Sequence, residues 1–247
     1  MATSAYSLNK LLAAIYRYPN KDERFTFAVA YTLGLERPEM ELDVVRYLYR
    51  LVKQVKADIE ALPADEEKKK IARRYIAPFN GLDNFSQVHM TVETARRNFL
   101  KPEHLVGLTH LDGDFSGLMQ FQDISDEAKA LSQSFHDIRQ EVADSNIDPM
   151  LKAVLLRRLS QMIAALDHYY FFREDGLAEI TQGLMGTIVL SSVKEQDLEA
   201  KGILRKAGTK LMQLISVVGG TNKFLSNANG VMQNGSALLE TFKSMGE

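Results

Sequence analysis

Apolar residues recur at spacings of three and four along almost the whole chain, whereas sustained alternation of apolar and polar residues is scarce. The first spacing collects apolar side chains on one face of an α-helix, and the second pattern is what half-buried β-strands need. The sequence therefore predicts an all-α fold, a multi-helix bundle with a long amphipathic C-terminal helical segment.

Local signals divide this pattern into helices. Gly34 predicts the end of a helix that begins near Phe25. In "NIDPM", Asp148 is placed as an N-cap and Pro149 in the first turn, which is the clearest helix start in the chain. This start divides the chain into two expected helical regions, residues 1–146 and 147–247, although one continuous domain is also compatible with the length of 247 residues.

Composition excludes several classes of site and partner. The chain has no cysteine, which excludes disulfides, thiol nucleophiles and Cys-ligated metal sites. Its net charge is -2, so no overall basic field attracts nucleic acid, and no DNA partner is expected. The basic run "KKKIARR" is interpreted as a solvated helix face. With neither a secretory signal nor an apolar run of about 18 residues, a cytoplasmic location is expected.

The C-terminal segment, residues 203–242, carries the longest regular pattern in the chain. An apolar residue returns every seven positions, and further small or apolar residues follow each of them by three. Such a stripe is wide enough to pack into a helical bundle or against another subunit. The residues expected to make these contacts are Leu211, Leu214, Val218, Leu225, Met232 and Leu239.

The opposite face of this segment is rich in Ser, Gly, Asn and Gln, and Lys223 is the only charged residue between Lys210 and Glu240. A solvated helix face normally carries more charge. This face could therefore pack on neighbouring helices, meet partner subunits or lie on a membrane. Burial against protein is favoured because a cationic face is missing. At least one interruption is expected, at Gly219-Gly220 or Asn229-Gly230.

The stretch "LDGDFSGLMQFQDI", residues 111–124, spaces oxygen-bearing side chains as a calcium-binding loop does. It is expected to follow a short helix from Pro102 to Leu111. The spacing resembles the EF-hand loop, which implies a bound calcium ion. The alternative, favoured by the bulky Phe115 at the fourth loop position, is a polar turn. The candidate ligands are Asp112, Asp114, Ser116, Gln120 and Asp123.

In "RRNFLKPEH", Arg97 and Asn98 precede His104. This arrangement resembles the motif of HEPN-type ribonucleases, which are also small helical bundles. The resemblance implies that Arg97 and His104 lie in a dimer cleft, polarise the phosphate and assist attack by the RNA 2′-hydroxyl. The alternative is a helix C-terminus whose basic residues complement its dipole. Pro102 favours this alternative because it breaks the helix that would hold both residues.

The sequence contains no HExxH, GxxxxGK, GxGxxG or GxSxG motif. We therefore expect a non-enzymatic interaction or assembly protein that uses its C-terminal amphipathic segment for packing or oligomerisation. Its expected partner is another protein or a second copy of itself, and no cofactor is expected. The alternatives are a membrane-perturbing effector, a HEPN-like ribonuclease and a calcium-binding protein.

Overall fold

The structure, a computed structural model, describes residues 3–35, 41–83, 89–116, 126–194 and 197–218. These residues form ten α-helices and one 3₁₀ helix, which confirms the predicted all-α fold. The 3₁₀ helix covers Ala77–Asp83. The α-helices are α1 Ser4–Tyr16, α2 Phe25–Thr32, α3 Glu41–Ala61, α4 Glu66–Ile76, α5 Val92–Asn98, α6 Pro102–Ser116, α7 Asp126–Asp144, α8 Pro149–Asp167, α9 Tyr169–Lys194 and α10 Leu198–Val218.

The chain divides into two compact units, unit 1 over Met1–Asp123 and unit 2 over Ile124–Glu247. This division differs from the expected one at residues 146 and 147. The reason is that α7 packs against α8 and α10, so it belongs with the C-terminal helices. Asp148 does cap α8, with its carboxylate accepting from two backbone N–H groups of the first turn. A strong helix-capping signal shows where a helix begins, but it does not show where one compact unit ends and the next begins.

In unit 1, α1 is the central helix and packs against α2, α3, α5 and α6. Its apolar residues recur at spacings of three and four, so they share one face, and that face is fully buried. The Thr3 hydroxyl caps the helix by accepting from the backbone N–H of Tyr6. The buried apolar face consists of Leu8, Leu11, Leu12 and Ile15.

Helix α2 ends just before Gly34, as the sequence predicted. Gly34 has a φ of +68°, a left-handed conformation that costs a residue without a side chain little. Its N–H donates to the carbonyl of Tyr31 at 3.0 Å, and the N–H of Leu35 donates to Ala30 at 2.8 Å. These two bonds satisfy carbonyl groups that the helix end leaves open, in a Schellman motif.

In unit 2, α7, α8, α9 and α10 form a four-helix bundle. Each helix packs against two neighbours, in the order α7, α8, α9, α10 and back to α7. The connections between consecutive helices are four, one and three residues long, so packed neighbours must run antiparallel. The last contact in the ring is tied by an ion pair between Lys206 of α10 and Glu141 of α7, at 2.6 Å.

The aromatic run at the start of α9 is divided between environments, as expected for four consecutive rings that cannot share one helix face. Phe171 and Phe172 are buried and meet edge to face, while Tyr169 and Tyr170 are half-buried. Directly after them Arg173 has a φ of +56° and a ψ of -172°, which interrupts the helix. A non-glycine residue pays about 1–3 kcal/mol for such a conformation. The break accompanies the burial of two adjacent rings.

Two glycines of α6 test how closely the helices of unit 1 approach. Gly113 has open space where a Cβ would lie, so Gly113→Ala should raise the free energy of unfolding by about 0.5–1 kcal/mol. At Gly107 a Cβ would lie 3.0 Å from the ring of Tyr75, which is itself stacked on His110. Overpacking there should make Gly107→Ala at least about 1 kcal/mol less stable than Gly113→Ala in urea unfolding. Equal stabilisation by both substitutions would contradict this close packing.

Candidate interaction surfaces

The apolar stripe of the C-terminal segment is observed over its first part, in α10. Leu211 and Leu214 are fully inaccessible to solvent and Val218 is 7% exposed. The stripe packs between α7 and α9, which are the two neighbours of α10 in the bundle. The other interaction residues expected from the sequence, Leu225, Met232 and Leu239, lie outside the described residues.

The outward face of α10 is polar and charged. A shallow groove of about 470 Å³ separates it from α7. Lys206 crosses the groove to Glu141, whereas Lys210 donates to Gln213 of its own helix at 3.3 Å. Cations therefore line the α10 side and carboxylates the α7 side. The groove is lined by Ser134, Asp137, Ile138, Glu141, Arg205, Lys206, Thr209 and Lys210.

The expected calcium loop does not begin at Asp112, because α6 continues through Ser116. The physical reason is Phe115, which is 2% exposed and extends the buried stripe of Leu108 and Leu111 by one more turn. The expected helix end at Leu111 was therefore wrong. Asp112, Asp114 and Ser116 lie on the helix, and Gln120 and Asp123 lie outside the described residues.

The side chains of this part of α6 make structural hydrogen bonds. Asp112 accepts from the hydroxyl of Thr3 at 2.8 Å, which ties α6 to the start of α1. The Ser116 hydroxyl donates to the carbonyl of Asp112 at 2.6 Å, a bond within the same helix. Within the described ranges, no three His, Asp or Glu side chains are grouped so as to hold a metal ion. Calcium binding stays a prediction.

Arg97 and His104 lie on two different helices. Arg97 belongs to the last turn of α5, is 74% exposed and pairs with Glu93 at 3.4 Å. His104 belongs to the first turn of α6, and its Nδ1 lies 2.9 Å from the carbonyl oxygen of Phe99. The break between the helices precedes Pro102, as the proline predicted. The basic end of α5 matches the alternative interpretation, and RNA cleavage stays a prediction.

A buried polar cluster in unit 1, which we name the Asp58 cluster, was not found from the sequence. Asp58 of α3 is 2% exposed, and its carboxylate accepts from the hydroxyl of Ser4 and from the amide of Gln54, the latter at 2.6 Å. Ser4 is the first residue of α1, where the partial positive charge of the helix favours an anion. In the sequence, Asp58 is indistinguishable from a solvent-exposed aspartate on a helix, so nothing in the sequence indicates that it is buried.

The basic run of α4 forms a solvated face, as expected. Lys68, Lys70 and Arg74 are exposed. Arg73 binds the Glu60 carboxylate of α3 through two nitrogens, at 2.7 and 2.8 Å. These hydrogen bonds, with the charge of the guanidinium, hold the pKa of Glu60 below its usual value. Lys69 also donates to the backbone carbonyl of Glu60, at 2.7 Å. The run therefore joins α4 to α3 through Arg73 and Lys69 and presents Lys68, Lys70 and Arg74 to solvent.

No protein-family model, curated protein or solved structure matches this chain. None of the described helices combines the length and the apolar character that crossing a bilayer requires.

The buried stripe of α10 predicts a strong dependence of stability on Leu211. Leu211→Asn should lower the free energy of unfolding by about 3–5 kcal/mol, because it removes buried apolar contacts and buries an amide. The matched control Gln213→Asn, at an exposed position of the same helix, should cost about 0.5 kcal/mol or less. Urea unfolding followed by circular dichroism measures both. Similar losses in the two variants would contradict the packing of this face.

The Asp58 cluster predicts unequal effects for two buried serines of α1. Ser4→Ala should lower the free energy of unfolding by about 1.5–3 kcal/mol, because the hydroxyl donates to a buried carboxylate. Ser7→Ala should cost about 1 kcal/mol, since its hydroxyl donates only to the carbonyl of Thr3. Chemical denaturation of both variants provides the comparison. A loss at Ser7 as large as that at Ser4 would count against the cluster.

Proposed function

We propose that this protein is a non-enzymatic assembly protein that associates with a second copy of itself through the later part of its C-terminal stripe. In this proposal residues 203–218 close the four-helix bundle, and residues 219–242 supply the contact between copies. The observation that supports it is the complete burial of Leu211 and Leu214 inside the bundle. The same heptad pattern continues in the sequence through Leu225, Met232 and Leu239.

The length of α7 supports this division of the stripe. The ion pair of Lys206 with Glu141 sets the register between the antiparallel helices α10 and α7. Twelve residues further along α10 is Val218, and twelve residues back along α7 is Lys129, in its first turn. By Val218 the stripe has therefore passed along almost the whole of α7. The apolar positions that follow Val218 in the sequence therefore have almost no further length of α7 to pack against.

The scarcity of charge in the same segment favours a second copy as the partner. A symmetric contact between identical chains brings each residue close to its own counterpart or to a neighbour of it. Like charges are then repelled, so a self-associating surface is favoured when it has few of them. Between Lys210 and Glu240 the sequence has one charged residue, Lys223.

The proposal predicts that Leu225 is required for association and that its polar neighbour is not. In the full chain, Leu225→Asp should weaken self-association at least about tenfold, because it places a charge in the apolar stripe. Asn227→Asp introduces the same charge two positions later, on the polar side of the pattern, and should have a much smaller effect. Size-exclusion chromatography with light scattering over a concentration series measures the oligomeric state.

Circular dichroism melting serves as the control for folding. At a protein concentration too low for association, the melting temperature should be the same for the wild type and both variants, because in this proposal residue 225 contacts the second copy and not the bundle of its own chain. A wild-type chain that is monomeric at all concentrations would overturn the proposal. Release of a dye from liposomes by the wild type, lost in Leu225→Asp, would instead identify the segment as membrane-active.

A further inference from the structure

The groove between α7 and α10 has opposite charges facing each other at two neighbouring helical turns, and they form an ion pair at only one of them. Lys206 binds Glu141 across the groove at 2.6 Å. Because α10 runs antiparallel to α7, one turn forward along α10 is level with one turn back along α7. Lys210 is therefore level with Asp137, and both residues line the groove.

Asp137 and Lys210 do not bind each other. The Asp137 carboxylate accepts from the amide of Gln133, one turn back on its own helix, at 2.9 Å. The Lys210 ammonium donates to the amide oxygen of Gln213, also on its own helix, at 3.3 Å. Among the described residues, neither charge has an opposite charge within ion-pair distance. The two groups therefore face each other across the groove without neutralising each other.

Arg205 adds a second unpaired cation to the α10 side. Its side chain is exposed, lines the groove and has no hydrogen bond or ion pair with any described residue. Among the residues that line the groove, two cations and one carboxylate are thus left without an ionic partner. The rest of the lining is provided by the buried Ile138 and by the hydroxyl-bearing residues Ser134 and Thr209.

We propose that this groove binds a small amino-dicarboxylate, which is an acidic α-amino acid or a dipeptide that contains one. The ammonium group of the ligand donates to Asp137, and its two carboxylates accept from Lys210 and Arg205. Such a ligand has one positive and two negative groups, so it complements the three unpaired charges in number and in sign. None of these three residues belongs to residues 219–242, so the inference is independent of the proposed self-association.

The size of the groove and its mixed charge support this class of ligand over simpler ions. Its volume of about 470 Å³ is within the range of small-ligand sites, roughly 300–1,000 Å³. A phosphate or a plain dicarboxylate is attracted by Lys210 and Arg205 but repelled by Asp137. A polyamine is attracted by Asp137 and repelled by both cations. A ligand that has both kinds of charge avoids either repulsion.

The test is a titration of the isotope-labelled full-length protein with L-glutamate and with L-alanyl-L-glutamate, followed by NMR chemical shifts at constant ionic strength. The wild type should bind at least one of these probes at millimolar concentration, and the tighter probe identifies the length of the ligand. Asp137→Asn should weaken binding at least about threefold, because the ammonium group loses its ionic acceptor. Lys210→Met, which keeps the side-chain stem but removes the charge, should weaken it to a similar extent.

Asp144→Asn is the matched control for Asp137→Asn. Asp144 is another carboxylate of α7, it accepts from the glutamine one turn back, Gln140, at 2.9 Å, and it does not line the groove. This variant should bind both probes like the wild type. Equal weakening in Asp137→Asn and Asp144→Asn would overturn the proposal, and so would a wild type that binds neither probe at millimolar concentration.

Glutarate, which has two carboxylates and no ammonium group, separates an amino-dicarboxylate site from a general anion site. The wild type should bind it at least about threefold more weakly than the tighter probe, because glutarate gives Asp137 no ammonium group to bind. Asp137→Asn should bind glutarate as tightly as the wild type or more tightly, since the substitution removes a repelling charge. Equal binding of glutarate and the tighter probe by the wild type would show an anion site only and contradict the proposal.

Thermal melting checks that Asp137 is unpaired in the free protein. The melting temperatures of Asp137→Asn and Asp144→Asn should be the same, because neither carboxylate pairs with a cation of the described residues. A distinctly lower melting temperature for Asp137→Asn would show that Lys210 closes onto Asp137 in solution, and the proposed site would then be lost.

Discussion

The burial of the α10 stripe between α7 and α9 is the contact on which unit 2 depends. Without α10, the inner faces of α7 and α9 would be open to water. Because α10 packs against both helices, it closes the ring of four. Leu211 and Leu214 have no accessible surface there, and burial of a leucine side chain contributes about 1.5–3 kcal/mol. The ion pair of Lys206 with Glu141 lies on the exposed side of the same contact. It sets the register more than it adds stability, since exposed pairs contribute about 0–1 kcal/mol.

Unit 1 uses apolar packing and buried polar bonds for different purposes. The apolar face of α1, formed by Leu8, Leu11, Leu12 and Ile15, is part of the hydrophobic core. The polar bonds lie at the start of the same helix, where Ser4 binds Asp58 of α3 and Thr3 binds Asp112 of α6. Hydrogen bonds are directional and apolar contacts are not, so the bonds fix how α1 is oriented against these neighbours. A carboxylate at this position also complements the helix dipole.

The contact proposed between copies of the chain uses the same apolar residue types that fill the four-helix bundle. The later C-terminal stripe is proposed for a copy of the chain because the segment has few charges. Charge elsewhere in unit 2 has a local role: Asp148 and Asp197 stabilise the starts of α8 and α10, and both carboxylates lie on the exposed surface.

The sequence by itself determined the all-α class, the end of α2 at Gly34 and the start of α8 at Asp148 and Pro149, because each depends on bonds between residues close in the chain. Its apolar spacing also identified the buried faces of α1 and α10. Only the tertiary structure decided that α6 continues past Asp112, since that depends on the pocket that accepts Phe115. It likewise decided that Asp58 is buried while Leu198 is exposed. Accessibility is set by neighbours distant in sequence, and residue type or local spacing does not specify those neighbours.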